Sequence, residues 1–321
     1  MKTTIYLIFA LMIIFLSCRK PNNNNNNNNN NTVCNHSLMA FKKCSNDSYM
    51  LIEVDTLTGR SSVNSFYPCV RKANGCYLAK DNCYYSLQSD SLGGLKLYKF
   101  DLKNKTTDIL LYTGSPRITT DAFRFYLVYN NVYDKLYYLE SYVNGASYSW
   151  EFYEIIISGN TFSDRTITPL PSPDGIFSPI LLDEHSGDMY FYSRDRFNKY
   201  IPSTNKVLPT TLFKNHSHFL LQYSKRDSMF YDFKYPEFFK IDHRTEVVTA
   251  ITNLSPTITN GYTNSTFDAC KNQYILQSGG YPSDSNINLF WLDVKTGKVM
   301  KHLNTYDSYI VYFVAMLHHK N

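Results

Sequence analysis

Apolar and polar residues alternate along most of this chain in short runs, the pattern of β-strands that bury one face. A recurring phrase contains one such run, an aspartate, a short polar turn and a second, more polar run. The clearest copies are residues 51–60, 97–105, 238–246 and 289–298, and weaker copies are residues 152–160 and 197–206. The pattern predicts an all-β fold built from repeats.

Each phrase predicts a tight hairpin. Aspartate and threonine side chains hydrogen-bond to the turn backbone, and glycine takes the positive φ that the turn needs. Residues 289–298 supply all three in Asp293, Thr296 and Gly297. From Asp55 to Asp293 the phrase advances five steps over 238 residues, a mean of about 48, which suits a four-stranded propeller blade.

Further strands lie upstream of the phrases, such as residues 123–129 with 135–141 and residues 219–223 with 229–233. Each unit therefore contains four strands. Because one unit cannot bury both faces of its sheet, the units are expected to stack in a ring. A β-sandwich shares the alternation but does not explain the fixed period. We predict a β-propeller with six four-stranded blades, with seven blades as the alternative.

The two ends of the repeat region predict how the ring closes. Only one clear strand, residues 38–43, precedes the first phrase, so the first blade lacks its innermost strand. The apolar run 309–317 follows the last phrase, and it is too short to span a membrane. We expect this run to complete the first blade and so to remove an exposed sheet edge.

The Asp-x-x-Thr-Gly-Lys turn at residues 293–298 resembles that of bacterial propellers of the quinoprotein-like and surface-layer-like groups. The resemblance covers residues 34–317 and implies the fold alone, because a shared fold does not determine function. Trp150 and Trp291 do not form the tryptophan-aspartate blade signature. The sequence also lacks the tryptophan docking repeat that would hold a quinone, so no cofactor is predicted.

The N-terminus has a different character. An apolar run at residues 5–16 follows Lys2 and ends in small residues, as a secretory signal does. Leu16-Ser17-Cys18 resembles the lipobox of bacterial lipoproteins, which implies that Cys18 becomes the first mature residue and carries acyl chains. We predict a signal peptide over residues 1–17 and a lipid-anchored protein on the periplasmic or surface side of the cell envelope.

Residues 22–31 are unbroken asparagine, which has no apolar side chains to bury and does not fold alone. We predict a flexible linker over residues 18–32, with a mean reach of roughly 20 Å, and the propeller domain over residues 33–321. The tract resembles linkers in lipoproteins of the Bacteroidetes. The alternative is a secreted eukaryotic glycoprotein, whose glycosylation acceptors would be Asn35, Asn104, Asn215 and Asn264.

The charge and composition of the chain exclude few classes of function. Without Lys2 the chain has 31 basic and 27 acidic residues, a net charge of +4. The basic residues are scattered between apolar strands, so nucleic acid is not an expected partner. The 28 tyrosines and 21 phenylalanines are typical of strands. We expect a monomer that contacts a membrane through its lipid.

Seven cysteines are an odd number, but lipidation of Cys18 leaves six in a compartment where disulfides persist. We favour Cys34 with Cys44 as a local clasp. The other pairings stay open, and free buried thiols are the alternative. Zinc sites use closely spaced cysteine pairs, whereas Cys69, Cys76 and Cys83 are each seven residues apart.

Known catalytic and metal motifs are mostly absent from the sequence. It contains no Gly-x-Ser-x-Gly elbow, no Gly-Lys-Ser/Thr phosphate loop and no His-Glu-x-x-His pair. His216 and His218 would point to one side of a strand and offer two imidazoles to a metal, although two solvated loop histidines are the simpler interpretation. Residues 284–288 begin like a calcium loop, but Leu289 and Lys295 occupy the positions of its glycine and glutamate. No metal site is predicted, and only calcium or zinc stays open.

Loops that lead into inner strands converge over a propeller channel, the usual place for a pocket. The candidate binding residues in these loops are Arg117, Asp121, Phe177, His216, His218, Tyr262 and Tyr306. Their aromatic and polar groups suit a glycan or a peptide. We therefore expect a non-enzymatic binding or scaffolding protein for a glycan, peptide or protein partner. The alternative is a metal-dependent envelope hydrolase, lactonase or lyase, for which Asp121 is the clearest acid.

Overall fold

The chain divides into two compact units, Met1–Val33 and Cys34–Asn321. The computed structural model describes parts of the second unit only. The described residues are 36–45, 48–62, 67–71, 75–78, 80–89, 94–115, 124–144, 147–169, 180–193, 196–210, 220–234, 237–253, 262–278, 287–305 and 310–318.

Every regular element in these ranges is a β-strand, and the ranges contain no helix. The strands are β1 (His36–Ser45), β2 (Ser48–Asp55), β3 (Ser61–Ser62), β4 (Val70–Arg71), β5 (Gly75–Leu78), β6 (Cys83–Ser89), β7 (Leu95–Asp101), β8 (Thr106–Tyr112), β9 (Arg124–Asn130), β10 (Lys135–Asn144), β11 (Ser147–Ser158), β12 (Thr161–Pro169), β13 (Leu181–Leu182), β14 (Met189–Ser193), β15 (Arg196–Ile201), β16 (Lys206–Pro209), β17 (Gln222–Ser224), β18 (Met229–Lys234), β19 (Glu237–Asp242), β20 (Val247–Asn253), β21 (Tyr262–Asp268), β22 (Gln273–Ser278), β23 (Ile287–Asp293), β24 (Val299–Thr305) and β25 (Ile310–His318).

The strands form antiparallel groups that follow the order of the chain. Group 1 has the order β25-β1-β2-β3, with β4 also paired to β2. Groups 2 to 6 are β5–β8, β9–β12, β13–β16, β17–β20 and β21–β24, and within each group consecutive strands are neighbours. Groups 2 and 3 form one eight-stranded sheet, because β8 and β12 pair in parallel at Leu111 with Thr161 and at Tyr112 with Phe162.

The last strand pairs with the first, as the apolar run near the C-terminus predicts. Strand β25 lies antiparallel to β1, with His36 opposite His318 and Phe41 opposite Tyr312. The register slips after Met39 and again after Phe41. Group 1 is therefore assembled from residues at both ends of the repeat region.

Burial follows the predicted alternation where a strand has one packed face. In the outer strand β24, Met300, His302 and Asn304 are exposed while Val299, Lys301 and Leu303 are partly covered. Strand β6, by contrast, is buried along nearly its whole length, because it lies inside group 2 with neighbouring groups on both sides. Such doubly covered strands have continuous rather than alternating apolar character.

The core consists of hydrophobic clusters that each join two groups. They contain Phe41 with Phe100 for groups 1 and 2, Leu97 with Tyr153 for groups 2 and 3, Phe152 with Phe191 for groups 3 and 4, Tyr190 with Phe230 for groups 4 and 5, Tyr231 with Tyr274 for groups 5 and 6, and Leu289 with Ile52 for groups 6 and 1. Many contacts are aromatic pairs, such as the edge-to-face Tyr190 and Phe230 rings with centroids 5.1 Å apart. The described chain is an all-β, repeat-built fold of the β-propeller type.

The predicted turn chemistry is confirmed. Asp55 Oδ1 accepts the Leu57 N–H at 2.6 Å, and Asp293 Oδ1 accepts the Lys295 N–H at 3.1 Å. Four residues after each aspartate the backbone is left-handed, with φ of +70° at Gly59. The same φ sign occurs at Asn82, Lys105, Asp134, Gly187, Asn205, Ser228, Glu246, Asn272 and Gly297. One turn geometry is therefore used with and without glycine.

Strand direction alternates within a group, so the connections fall at two ends. The turn face comprises the connections 56–60, 79–82, 102–105, 131–134, 159–160, 183–188, 202–205, 225–228, 243–246, 269–272 and 294–298. The loop face comprises the connections 46–47, 72–74, 90–94, 113–123, 145–146, 170–180, 194–195, 210–221, 235–236, 254–261, 279–286 and 306–309. The turn-face connections contain two to six residues, whereas the loop-face connections contain two to twelve.

The predicted Cys34–Cys44 clasp is wrong. Cys44 forms a disulfide with Cys69. Most of the segment between the two predicted partners belongs to the extended strand β1, and His36 and Cys44 on it are roughly 26 Å apart at the usual rise per residue. Cys270 is also disulfide-bonded. Among the described residues, Cys76 and Cys83 are free thiols.

Candidate functional site

One of the predicted binding residues is described. Tyr262 is the first residue of β21, at the loop face, and lies opposite Ser278. The residues that fall outside the described ranges are Cys18, Cys34, Arg117, Asp121, Phe177, His216, His218 and Tyr306.

Polar side chains of the turn face link one group to the next. Lys80 of group 2 forms an ion pair with Asp134 of group 3. Asn130 Nδ2 donates to the Gly187 carbonyl of group 4 at 2.7 Å. A Cβ at Gly187 would lie 2.6 Å from the Tyr133 ring, so this contact between groups 3 and 4 requires glycine.

The chain of contacts continues through groups 4, 5 and 6. Glu184 Oε2 lies 3.5 Å from Lys225 Nζ of group 5. Asn272 of group 6 accepts from Ser224 Oγ at 2.7 Å and donates to Asp227 Oδ2 at 2.8 Å. The turn face is therefore held together by hydrogen bonds and ion pairs that cross between groups.

The most extensively bonded carboxylate of the turn face is Asp183, at the junction of groups 4 and 5. Its Oδ1 accepts from Tyr223 Oη at 2.6 Å and from the His185 N–H at 2.9 Å. Its Oδ2 accepts from Ser186 Oγ at 2.8 Å and lies 2.9 Å from His243 Nε2. The side chains of Asp183 and His243 are only 8% and 1% exposed.

Titration of Asp183 reflects this environment. Burial by itself raises the pKa of the carboxyl, but hydrogen bonds from His243, Tyr223, the His185 backbone and Ser186 outweigh burial and hold the pKa far below its ordinary value. Burial, reinforced by the Asp183 hydrogen bond, also raises the pKa of Tyr223 well above its ordinary value. Asp183 is therefore a carboxylate and Tyr223 a neutral donor at neutral pH.

His243 is enclosed by aromatic rings. The centroids of Phe230, Tyr190 and Tyr223 lie 4.8, 5.3 and 6.1 Å from its own. A carboxylate that orients a histidine is one part of a catalytic triad, but here the neighbouring hydroxyl of Ser186 donates to Asp183 rather than to His243. Because Asp183 and His243 are both buried, their contact stabilises the packing of group 4 against group 5.

A polar cleft of about 300 Å³ opens between groups 3 and 4. It is lined by Lys135, Tyr137, Glu154, Arg165, Thr166, Ile167, Tyr200, Pro202 and Asn205. Glu154 Oε1 lies 2.9 Å from Lys135 Nζ, and Oε2 lies 2.7 Å from Arg165 Nη2. Tyr200 Oη donates to Asn205 Oδ1 at 3.0 Å. The cleft thus contains an ion triplet of Lys135, Glu154 and Arg165 together with two tyrosines.

The ionisation of the cleft is fixed at neutral pH. Burial by itself raises the pKa of the Glu154 carboxyl, but the hydrogen bonds from Lys135 and Arg165 outweigh it and lower the pKa. Burial, with the nearby Glu154 charge, raises the pKa of Tyr200 to about 12. Glu154 is therefore charged while the tyrosine hydroxyl stays protonated.

A second cleft, of about 400 Å³, occupies the equivalent position between groups 5 and 6. Tyr231 lies opposite Lys240 there, as Tyr137 lies opposite Glu154 in the first cleft. Tyr231 Oη donates to Asp227 Oδ2 at 3.0 Å. Both volumes lie at the lower end of the range for small-molecule sites, and they offer polar groups rather than a nucleophile.

Metal and membrane features are limited in the described chain. Among its residues there is no group of three or more histidine, cysteine, aspartate or glutamate side chains that could hold a metal ion. These ranges also contain no helix of the length and hydropathy that a membrane span requires.

Sequence reasoning missed the pairing of Asp183 with His243. Sixty residues separate the two partners, and no local motif marks either. The only available signal is positional, since both residues occupy turns in consecutive repeats.

No family model and no curated protein matches the chain. Among solved structures, similar chains include the extracellular domain of a B. thetaiotaomicron protein described as a one-component system. The identity is 17% over 75% of this chain and 32% of that chain, with a TM-score of 0.46. Apo AztD from Citrobacter koseri is 10% identical over 88% of this chain and 97% of that chain, with a TM-score of 0.48.

The β-propeller domain of Cps50 (Swd1) from Myceliophteria thermophila is a further similar structure. It is 8% identical over 73% of this chain and 88% of that chain, with a TM-score of 0.42. Likenesses at this distance do not indicate what this chain binds.

Proposed function

We propose that this chain is an exported lipoprotein whose domain is a six-bladed β-propeller that binds a glycan, peptide or protein partner without catalysing a reaction. The six antiparallel groups would be the blades, and strand β25 would close the first one. The clusters between consecutive groups support the ring, because the cluster of Leu289 with Ile52 links the last group to the first. Closed rings of this kind leave only short, protected edges.

The contrast between the two faces is the observation that carries the binding function. The turn face consists of short turns joined by contacts such as those of Asn130 and Asn272, which suits a rigid scaffold. Loop-face connections reach eleven or twelve residues at 113–123, 170–180 and 210–221. Recognition residues commonly lie on irregular loops that a rigid scaffold positions. By their sequence numbers, the predicted binding residues that fall within these three segments are Arg117, Asp121, Phe177, His216 and His218.

In this proposal, a lipid attached to Cys18 anchors the protein to a membrane of the cell envelope. Its support is the sequence Leu16-Ser17-Cys18 after an apolar run and before the asparagine tract. Radiolabelled palmitate should be incorporated into the full chain and lost in Cys18→Ala. Retention of label in Cys18→Ala would contradict this site of attachment.

Ligand binding is tested with the purified full chain on glycan and peptide arrays. We expect Phe177→Ala with Tyr262→Ala to weaken binding at least tenfold, since they remove two aromatic side chains of the predicted binding set. The matched control is Ser203→Ala with Lys298→Ala, two exposed turn-face positions, which should bind as the unaltered chain does. Stoichiometric calcium or zinc together with substrate turnover, both lost in Asp121→Ala or His218→Ala, would overturn the proposal in favour of a metal-dependent hydrolase.

A further inference from the structure

We infer that the turn face lies against the membrane and that the loop face, with its binding residues, points away from it. This inference rests on the proposed lipid anchor at Cys18. The turn face would then contact the headgroup region of the lipid bilayer.

The chain enters the described fold at the turn-face end of β1. Strand β1 begins at His36, and Ser37 lies opposite Asp55, the residue that starts the 56–60 turn. The other end of β1, Ser45, lies at the loop face. The linker that follows Cys18 therefore joins the propeller at its turn face.

The linker is short enough for its point of attachment to determine which face of the propeller lies near the membrane. Seventeen residues separate Cys18 from His36, and as a flexible coil they would span roughly 23 Å on average. A strand of seven residues, such as β8, is about as long, at roughly 23 Å. To place the loop face on the membrane, the linker would use its whole mean reach along the height of the sheets alone, before any path around their edge.

Exposed apolar side chains near the turn face could contact the lipid. Leu57, in the turn beside the start of β1, is 82% exposed. Other exposed apolar side chains in or next to the turns are Val132, Ile156, Ile157, Val247, Val248 and Met300, whereas the exposed Ile109, Leu111 and Leu208 lie away from the turns. Such side chains gain by leaving water, and a lipid interface close to the attachment point would cover them.

Two positions at opposite ends of β8 test the orientation. Lys103 lies in the 102–105 turn and Ser115 just beyond the other end of the strand, and both are exposed. Full-length Lys103→Cys and Ser115→Cys would be labelled with a donor fluorophore and reconstituted in vesicles containing an acceptor-labelled phospholipid. We expect clearly stronger energy transfer from position 103. Equal transfer, or stronger transfer from position 115, would overturn the inference.

Controls separate this inference from the anchor itself. The chain without an added cysteine measures labelling of Cys76 and Cys83. If palmitate is incorporated but the two positions transfer equally, the orientation is wrong and the anchor stands. If no palmitate is incorporated, the anchor and the orientation both fail. Doubling the asparagine tract should reduce the difference between positions, and an unchanged difference would show that the linker does not set the orientation.

Discussion

His243 Nε2 lies 2.9 Å from Asp183 Oδ2 across the junction of groups 4 and 5, and both side chains are almost fully buried. The aspartate comes from the first turn of group 4 and the histidine from the second turn of group 5. A buried charge that loses its partners is costly, so this pair makes the junction sensitive to substitution and to acid.

Asp183→Asn should lower the free energy of unfolding by about 2–4 kcal/mol, because the amide cannot replace the charge-assisted hydrogen bonds from Tyr223, Ser186 and His243. Urea unfolding at pH 7 measures the loss. The matched control, Asp134→Asn, alters an exposed carboxylate that pairs with Lys80 and accepts from Tyr129, and it should lower the free energy of unfolding far less, because exposed ion pairs contribute little. Equal losses in both variants would contradict the structural role of Asp183.

The pH dependence of stability should change in the same variant. Because the folded-state pKa of Asp183 is lowered, its carboxylate contributes stability that is complete above its unfolded pKa of about 4 and is lost as the pH falls toward the folded value. Urea midpoints between pH 6 and pH 2 should therefore fall less steeply for Asp183→Asn than for the unaltered chain. Parallel slopes would contradict this assignment.

The Cys44–Cys69 disulfide joins the end of β1 to the segment before β4. Replacing both residues with serine should cost about 3 kcal/mol, the usual value for a loop of this length. Thermal unfolding under non-reducing conditions measures the effect. A reducing agent should shift the melting temperature of the unaltered chain more than that of the double variant, and an equal shift would contradict a stabilising bond.

Cys270 should be bonded to Cys34. The cysteines already accounted for are Cys44, Cys69, Cys76 and Cys83, so only Cys18 and Cys34 remain as partners, and the proposed lipid occupies Cys18. Cys270 also lies in the 269–272 turn of group 6, at the face where β1 begins. Non-reducing peptide mapping should recover the 34–270 pair, and a peptide joining Cys18 to Cys270 would contradict both the pairing and the lipid.

Deleting residues 308–321 should abolish cooperative folding, because it removes β25 and exposes the buried edge of β1. Leu38, Met39, Ala40 and Phe41 of β1 are all buried. Calorimetry or circular dichroism measures the sharpness of melting, and deletion of residues 319–321 alone is the control. If the 308–321 deletion melts as sharply as the control, the six-blade closure is wrong.

The turn hydrogen bonds and the positions of several strands could be predicted from the sequence. The copies at residues 51–60 and 289–298 form the expected hairpins, with Asp55 and Asp293 accepting turn N–H groups. The run at residues 309–317 became β25. In these cases the pattern of burial and the turn bonds are set by residues close together in sequence.

Contacts between distant segments could not be read in the same way. The Asp183–His243 pair and the Cys44–Cys69 bond depend on which residues the packing of the sheets and loops brings together, and the sequence spacing does not encode it. The irregular first group shows the same limit, since β2 pairs with both Ser61–Ser62 and Val70–Arg71. All of the predicted binding residues stay predictions, and all except Tyr262 lie outside the described ranges.

The parallel pairing of β8 with β12 has a consequence for how the fold opens. The Leu111 N–H donates to Asn160 O at 3.1 Å and the Thr113 N–H to Phe162 O at 2.9 Å, so backbone amides at the outer edge of group 2 are protected from solvent. Hydrogen exchange at these amides then requires groups 2 and 3 to separate, and cooperative units of this kind exchange together. Slow local opening of the domain should therefore begin at a junction other than the one between groups 2 and 3, and these two groups should open together.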